Sequence, residues 1–247
     1  CDKTNFKYFI NGLGIKNAKF VAVNEADYLT DSDKTLNEIK AVLKYPLIVK
    51  PSKLGSSIGI SVCHSDGELF NALDLGFELD DKVLIEEYLE ITAEINVAVL
   101  GLNNDIIVSE LEQPVKTTEI LTFENKYMNK EKTVSGHTRI MPPDVSKKIY
   151  NQIVKDAETI FKTLNMKGVV RMDFILSGED IYINEVNTIP GSLAYYLYKP
   201  KNITYTELLN IIIHNAISDN NAKQMKIKNF NSNVLNNVEI NKSLKNK

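Results

Sequence analysis

Apolar and polar positions alternate along the chain with both helical and strand periods. Residues 4–11 read as a short helix stopped by "GLG" at 12–14, and a strand follows around Lys19–Val23. Asp and Ser caps open "TDSDKTLNEIKAVLKY", which sets Leu36, Ile39, Val42 and Leu43 on one helical face. Strands are expected at 46–50 and 58–62, then a helix from about Asp66 to Leu75 and a strand at 82–86. Alternation in "INVAVLG" (95–101) and "DIIVSE" (105–110) predicts a hairpin turning at Asn103-Asn104. Residues 112–143 carry little periodicity, as functional or unfolded stretches do. A helix over 144–164 aligns Ile149, Ile153, Ala157, Ile160, Phe161 and Leu164 on one stripe. Strands at 168–176 and 181–186 and a helix near 204–217 follow, and from about 221 an Asn/Lys-rich flexible tail is expected. Strands and helices mix without a βαβ alternation, so the fold class is α+β.

The segment "GVVRMDFILSGEDIYINEVNTIPG" (168–191) carries the most chemistry. Alternation puts Arg171 and Asp173 on one face of the first strand. In the return strand, Ile181, Ile183, Glu185 and Asn187 are expected to share a face. Joining the two polar faces needs an odd number of loop residues, and a three-residue loop at 178–180 would pair Asp173 with Glu185 and Arg171 with Asn187. Facing carboxylates destabilise a sheet unless something compensates. Mg²⁺ is a natural compensator, since it takes one or two carboxylates plus substrate phosphates, with Asn187 offering a neutral oxygen beside them. Arg171 could then hold developing anionic oxygens. A solvated sheet face with Arg171 pairing an acid is the other reading, and the hairpin alone leaves both open.

Composition narrows the setting. Apolar content of 43% and charged content of 25% over 247 residues describe a globular chain with a sizeable core. A net charge of −3 gives no global attraction to nucleic acid or anionic membrane, so neither is expected as a partner and any anion site is local. Two cysteines without framework spacing suit thiols in a reducing cytoplasm. No run of eighteen apolar residues occurs, and the start "CDKTNFKYF" is neither a signal peptide nor an initiator Met, so a fragment trimmed at its front is expected. One local anion site is at hand: "KPSKLGSSIG" (50–59) follows an apolar strand with lysines and a donor-rich turn. A P-loop motif and a Rossmann fingerprint are both absent.

Several blocks in order resemble the ATP-grasp superfamily, and within it the D-alanine–D-alanine ligases. These are "CDK" (1–3), "PLIVKPSKLGSSIGIS" (46–61), "KVLIEEYL" (82–89), "AEINVAVLG" (93–101), "FENKY" (123–127), "GVVRMDF" (168–174) and "IYINEVNTIPG" (181–191). The resemblance implies two α+β subdomains holding a nucleotide between antiparallel sheets. These would be residues 1–86 with the glycine-serine loop and 87–220 with the lid and metal-binding hairpin, followed by the 221–247 tail. By the same resemblance, Lys3 and Lys50 contact ATP phosphates, and Ser56 and Ser57 close over phosphate and substrate. Glu86, Glu87, Tyr88 and Leu89 form a hinge reading adenine and ribose, while Glu94 contacts ribose. Lys126 and Tyr127 belong to a mobile loop over the site. Asp173, Glu185 and Asn187 hold two Mg²⁺ ions, for which Mn²⁺ could substitute, and Arg171 stabilises an acyl phosphate and tetrahedral intermediate. Gly191 gives a backbone contact to the second substrate.

The implied activity is ATP-dependent joining of a carboxylate to an amine through an acyl phosphate, most simply in cytoplasmic peptidoglycan precursor synthesis from amino acid substrates. The family's amino-terminal substrate domain does not appear in these residues, and the resemblance is compatible with a homodimer. Tyr196 falls where the family's serine holds the second carboxylate, which keeps other acid–amine pairs open. An inactive nucleotide-binding module is the remaining alternative.

Overall fold

A computed structural model describes residues 2–115 and 139–226. Helix α1 (Lys3–Gly12) opens the chain, its first turn capped by the Asp2 carboxylate, which accepts from the Asn5 amide at 2.9 Å. Strand β1 (Phe20–Asn24) leads through a short α2 (Glu25–Thr30), which the pattern does not predict, into α3 (Ser32–Val42). Leu36 and Ile39 are buried as expected, but Val42 is 56% exposed. The helix ends there, and Leu43, in extended backbone, turns into the core instead.

Strands β2 (Leu47–Pro51), β3 (Ser61–Cys63) and β4 (Lys82–Glu87), with α4 (Asp66–Leu79) between the last two, complete the first half. They form an antiparallel sheet in the order β1-β4-β2-β3. Alternation decides its faces: Leu47, Val49, Val83 and Ile85 join the core with Ile39 and Leu73. The opposite face carries Ile48, Lys50, Leu84 and Glu86, all of which line a cavity.

The second half comprises β5 (Ala93–Leu102), β6 (Asp105–Val108), β7 (Gln113–Pro114), β8 (Arg139–Ile140), α5 (Lys147–Thr163), β9 (Lys167–Ser177) and β10 (Asp180–Asn187). Two 3₁₀ turns, Gly191–Leu197 and Lys199–Lys201, precede α6 (Tyr205–Gln224). This last helix runs four residues into the segment expected to be a tail, because Thr204 and Glu207 form a capping box and Asp219 pairs with both Lys167 and Lys223. Residues 227–247 lie outside the described ones. The second sheet is also antiparallel, in the order β10-β9-β5-β6. The β5–β6 hairpin turns at Asn103-Asn104, with Leu102 paired to Asp105 and Asn103 at φ 55°.

One face of this sheet packs Ile95, Val97, Val170 and Met172 on Ile153, Ile160 and Phe161 of α5. Phe6 and Ile10 of α1 belong to this same core, although they lie in the stretch assigned from sequence to the smaller half. Part of the other face is covered by the 3₁₀ segment and α6 through Ala98, Leu100, Val169, Leu197, Tyr198 and Leu208. The uncovered remainder faces the first sheet.

The β9–β10 ribbon reaches its expected pairing by a different route. Asp173 lies opposite Glu185 and Arg171 opposite Asn187. However, Ser177 pairs with Asp180, so the loop holds only Gly178 and Glu179, with Gly178 at φ 58°. The extra residue is Asn184, bulged between Ile183 and Glu185. Consequently Ile181 and Ile183 do not share a face with Glu185 and Asn187. Ile183 is buried with Phe174 and Leu176, while Glu185 turns to the cavity. Two apolar and two polar residues that strict alternation would place together are thereby sorted to opposite sides.

Candidate functional site

The two sheets face each other across a cavity of about 350 Å³. Its first wall carries Lys3 and Lys7 of α1 with Lys50 and Glu86. The glycine-serine loop closes one side, with Ser56 and Ser57 at φ 56° and 63°. Non-glycine residues in that region hold strain that a functional contact can justify. Gly59 is needed beside them: at φ 70°, a Cβ there would come within 2.7 Å of the Pro51 side chain.

Helix α1 delivers its lysines because its start is stitched to the end of β2. The Lys3 amide donates to the Ser52 carbonyl at 2.9 Å, and the Ser52 hydroxyl bonds Asp2 at 2.9 Å. Lys3 Nζ reaches the Leu54 carbonyl. One turn on, Lys7 pairs with Glu86, whose other oxygen pairs with Lys50. Burial pushes the Glu86 carboxyl up, yet Lys50 and Lys7 outweigh it and hold the group below the usual range. Burial likewise lowers the Lys7 ammonium, against the pull of Glu86.

The second wall carries Glu94 and Asn96 of β5, Arg171 and Asp173 of β9, and Glu185 of β10. Arg171 grips Asp173 through two bonds, Nε to Oδ1 at 2.7 Å and Nη2 to Oδ2 at 2.8 Å. Asn187 Nδ2 adds a third at 2.9 Å. Burial pushes the Asp173 carboxyl up, Arg171 opposes it, and the negative charges of Glu185 and Glu94 add to the rise. Arg171 is held above its ordinary value, first by that hydrogen bond.

Most residues singled out from sequence meet here: Lys3, Lys50, Ser56 and Ser57, Glu86 and Glu94, and Arg171, Asp173 and Glu185. Asn187 lies at the edge, in an adjoining cavity of about 320 Å³ that shares Lys3, Asn184 and Glu185 with the first. Glu87, Tyr88, Leu89 and Gly191 line neither cavity. The Glu87 carboxylate instead accepts from the Lys19 amide at 2.8 Å, and Tyr88 is 41% exposed. Lys126 and Tyr127 lie outside the described residues. Sequence reading missed Lys7, Asn96 and Asn184; the i,i+4 spacing of Lys3 and Lys7 on one helix was the available signal.

Tyr196 is built into a half-buried network beside Arg171, centred on the buried Glu112. Its hydroxyl donates to Glu112 Oε1 at 2.9 Å, which also accepts from Asn96 Nδ2 at 3.1 Å. The Arg139 guanidinium lies 4.1 Å over the Tyr196 ring and 3.5 Å from Glu112 Oε2. Burial, with Glu112 beside it, pushes the Tyr196 phenol up to about 12. Tyr196→Phe is expected to cost roughly 1.5 kcal/mol in urea denaturation, as a buried carboxylate loses a donor. An unchanged midpoint would mean that Asn96 and Arg139 satisfy Glu112 without the phenol.

Two antiparallel sheets closing on a cleft with lysines on one wall and acids with an arginine on the other define an ATP-grasp protein. The comparisons sharpen this. The family described as D-ala D-ala ligase C-terminus matches residues 9–214, and the chain belongs to that family. A D-alanine–D-alanine ligase of Thermosipho africanus is 36% identical over 94% of this chain and 62% of its own length. Its counterpart in Geobacillus kaustophilus is 35% identical over 90% and 60%. Among solved structures, the D-alanine–D-alanine ligase of Helicobacter pylori superposes with a TM-score of 0.64 at 31% identity, covering 84% of this chain and 59% of that one. The VanG D-Ala:D-Ser ligase of Enterococcus faecalis gives 0.71 at 28%, covering 86% and 60%. The chain thus spans about three-fifths of the length of these relatives.

Proposed function

We propose that this chain is the nucleotide-binding and catalytic part of an ATP-dependent ligase that joins the carboxylate of one amino acid to the amine of another, as D-alanine–D-alanine ligases do. The observation that carries the reading is the cleft itself, with Lys3, Lys50 and the Ser56–Ser57 turn facing Arg171, Asp173 and Glu185. ATP bound there would supply the phosphoryl group that activates the carboxylate, and Mg²⁺ would neutralise its oxygens.

The residues fit both. Among the described residues no three His, Cys, Asp or Glu side chains converge as a metal cage. A Mg²⁺ held mainly by phosphate oxygens needs only one or two carboxylates, which Asp173 and Glu185 supply, with Asn187 beside them. Lys3 and Lys50 would bind phosphate, and Ser56 and Ser57, in left-handed backbone at the cleft, would offer it backbone and hydroxyl donors. Arg171, steered by Asp173, presents a guanidinium where negative charge develops. The hinge and lid assignments for residues 86–89 and 126–127, the two-unit division at 86/87, and the Gly191 contact form part of the same proposal. So does a substrate-binding front contributed by a segment outside these 247 residues. Nucleotide use and the buried free thiol of Cys63 suit a cytoplasmic setting. Among the described residues, no helix is long and apolar enough to cross a membrane.

A second reading keeps the ligase chemistry but changes the substrate pair. Tyr196 favours it, because its hydroxyl is already committed to Glu112 and is not presented as a serine hydroxyl would be. One structural neighbour, VanG of Enterococcus faecalis, is a D-Ala:D-Ser ligase, a different pair on a similar fold.

Calorimetry tests the core of the proposal. The chain is expected to bind Mg-ATP, and Asp173→Ala with Glu185→Ala to remove the Mg²⁺-dependent part of that affinity. Mg²⁺-dependent binding that survives the double substitution would remove the metal assignment.

A further inference from the structure

Glu86 is a buried carboxylate shared by two lysines of different character. Lys7 is 3% exposed at its side chain and is anchored elsewhere, 3.3 Å from the Ala18 carbonyl and 3.5 Å from Asn17 Oδ1. Lys50 is 14% exposed and borders the open cleft beside Lys3. If phosphate binds in that cleft, it competes with Glu86 for Lys50. A fully buried carboxylate releases a counter-charge readily only when another remains.

We propose that Lys7 is a positioning residue for nucleotide binding, holding Glu86 so that Lys50 is free to engage the phosphates. The inference rests on the nucleotide reading given above. Lys7 needs no contact with the nucleotide. With Lys7 removed, Lys50 becomes the sole partner of Glu86, and turning it toward phosphate would strand a buried anion. With Glu86 neutralised as well, that restraint disappears.

The experiment is a cycle of Lys7→Met, Lys7→Arg and Lys7→Met with Glu86→Gln in the 247-residue chain, read as the ratio of ATP to adenosine affinity. The ratio isolates the phosphates, so a general loosening of the cleft leaves it unmoved. Lys7→Met is expected to lower it roughly 10- to 100-fold. Lys7→Arg keeps the buried cation and is expected to stay within about threefold of the parent ratio. The double variant is expected to regain most of the loss, and it removes both charges together, so it remains informative if Lys7→Met alone folds poorly. A parent-like ratio in Lys7→Met, or a double variant still as weak as a folded Lys7→Met or, where that variant does not fold, well below the parent, would overturn the proposal. A parent chain that binds neither ATP nor adenosine would overturn the nucleotide reading and this role with it.

Discussion

Replacing Arg171 with methionine is expected to lower turnover about 10²- to 10³-fold when the chain is assayed for phosphate release together with its substrate-binding front. Among the described residues lining the acidic wall, Arg171 is the only cationic donor, and its fork is fixed by two bonds to Asp173 at 2.7 and 2.8 Å. Its removal also leaves Asp173 among Glu185 and Glu94, whose charges already raise its carboxyl. A stability loss of roughly 3 kcal/mol should accompany the change, the lower end for a broken buried pair, since the two side chains are 23% and 17% exposed. Arg171→Lys separates the two effects. It restores a positive charge, and so part of the stability, but a point-like ammonium cannot form two parallel bonds while aiming at a developing oxyanion. Full turnover in the lysine variant would remove Arg171 from the proposed chemistry.

The second large effect is expected at Glu86. Glu86→Leu leaves the ammonium groups of Lys7 and Lys50 facing each other in a buried wall, and unfolding free energy should fall by about 3–5 kcal/mol in urea denaturation. Adding Lys7→Met should recover much of this, because the two substitutions share one cluster and are not additive. The pH dependence has a definite sign. Glu86 is held below its ordinary value of 4.5, so its contribution is fully present above that value and is lost as pH falls through the depressed one. Glu86→Leu should therefore flatten the acid limb of the stability curve. A loss under about 1 kcal/mol with an unchanged acid limb would show that the Lys7–Glu86–Lys50 cluster contributes little net energy.

The legible and illegible parts of this molecule divide along physical lines. Helix α5 was plain from its stripe of Ile149, Ile153, Ala157, Ile160 and Phe161, because a single buried face leaves a 3.6-residue period in the sequence. The Asp173–Glu185 and Arg171–Asn187 pairs were legible from alternation and parity. The route to them was not, since parity alone cannot say whether the odd residue sits in the turn or in a bulge at Asn184. Lys7 reads as an ordinary polar position on an amphipathic helix, and it is tertiary contact with Glu86 of β4 and with Asn17 and Ala18 that buries it. Tyr196 shows the same limit. Its separation from the expected serine role became concrete only once Glu112, 84 residues away in sequence, was seen to take its hydroxyl.

Helix α1 is fastened at two places that belong to different layers. Its first turn is tied to Ser52 at the end of β2, while Phe6 and Ile10 are packed beneath the other sheet. It therefore acts as a strut across the jaw, and the layers cannot spread at this edge without either snapping its bonds to Ser52 or prising two side chains from the interior. Helix α1 is thus one of the ties that resist gaping among the described residues, and the Lys16 carbonyl, which accepts from the Ile183 amide at 2.9 Å, is another.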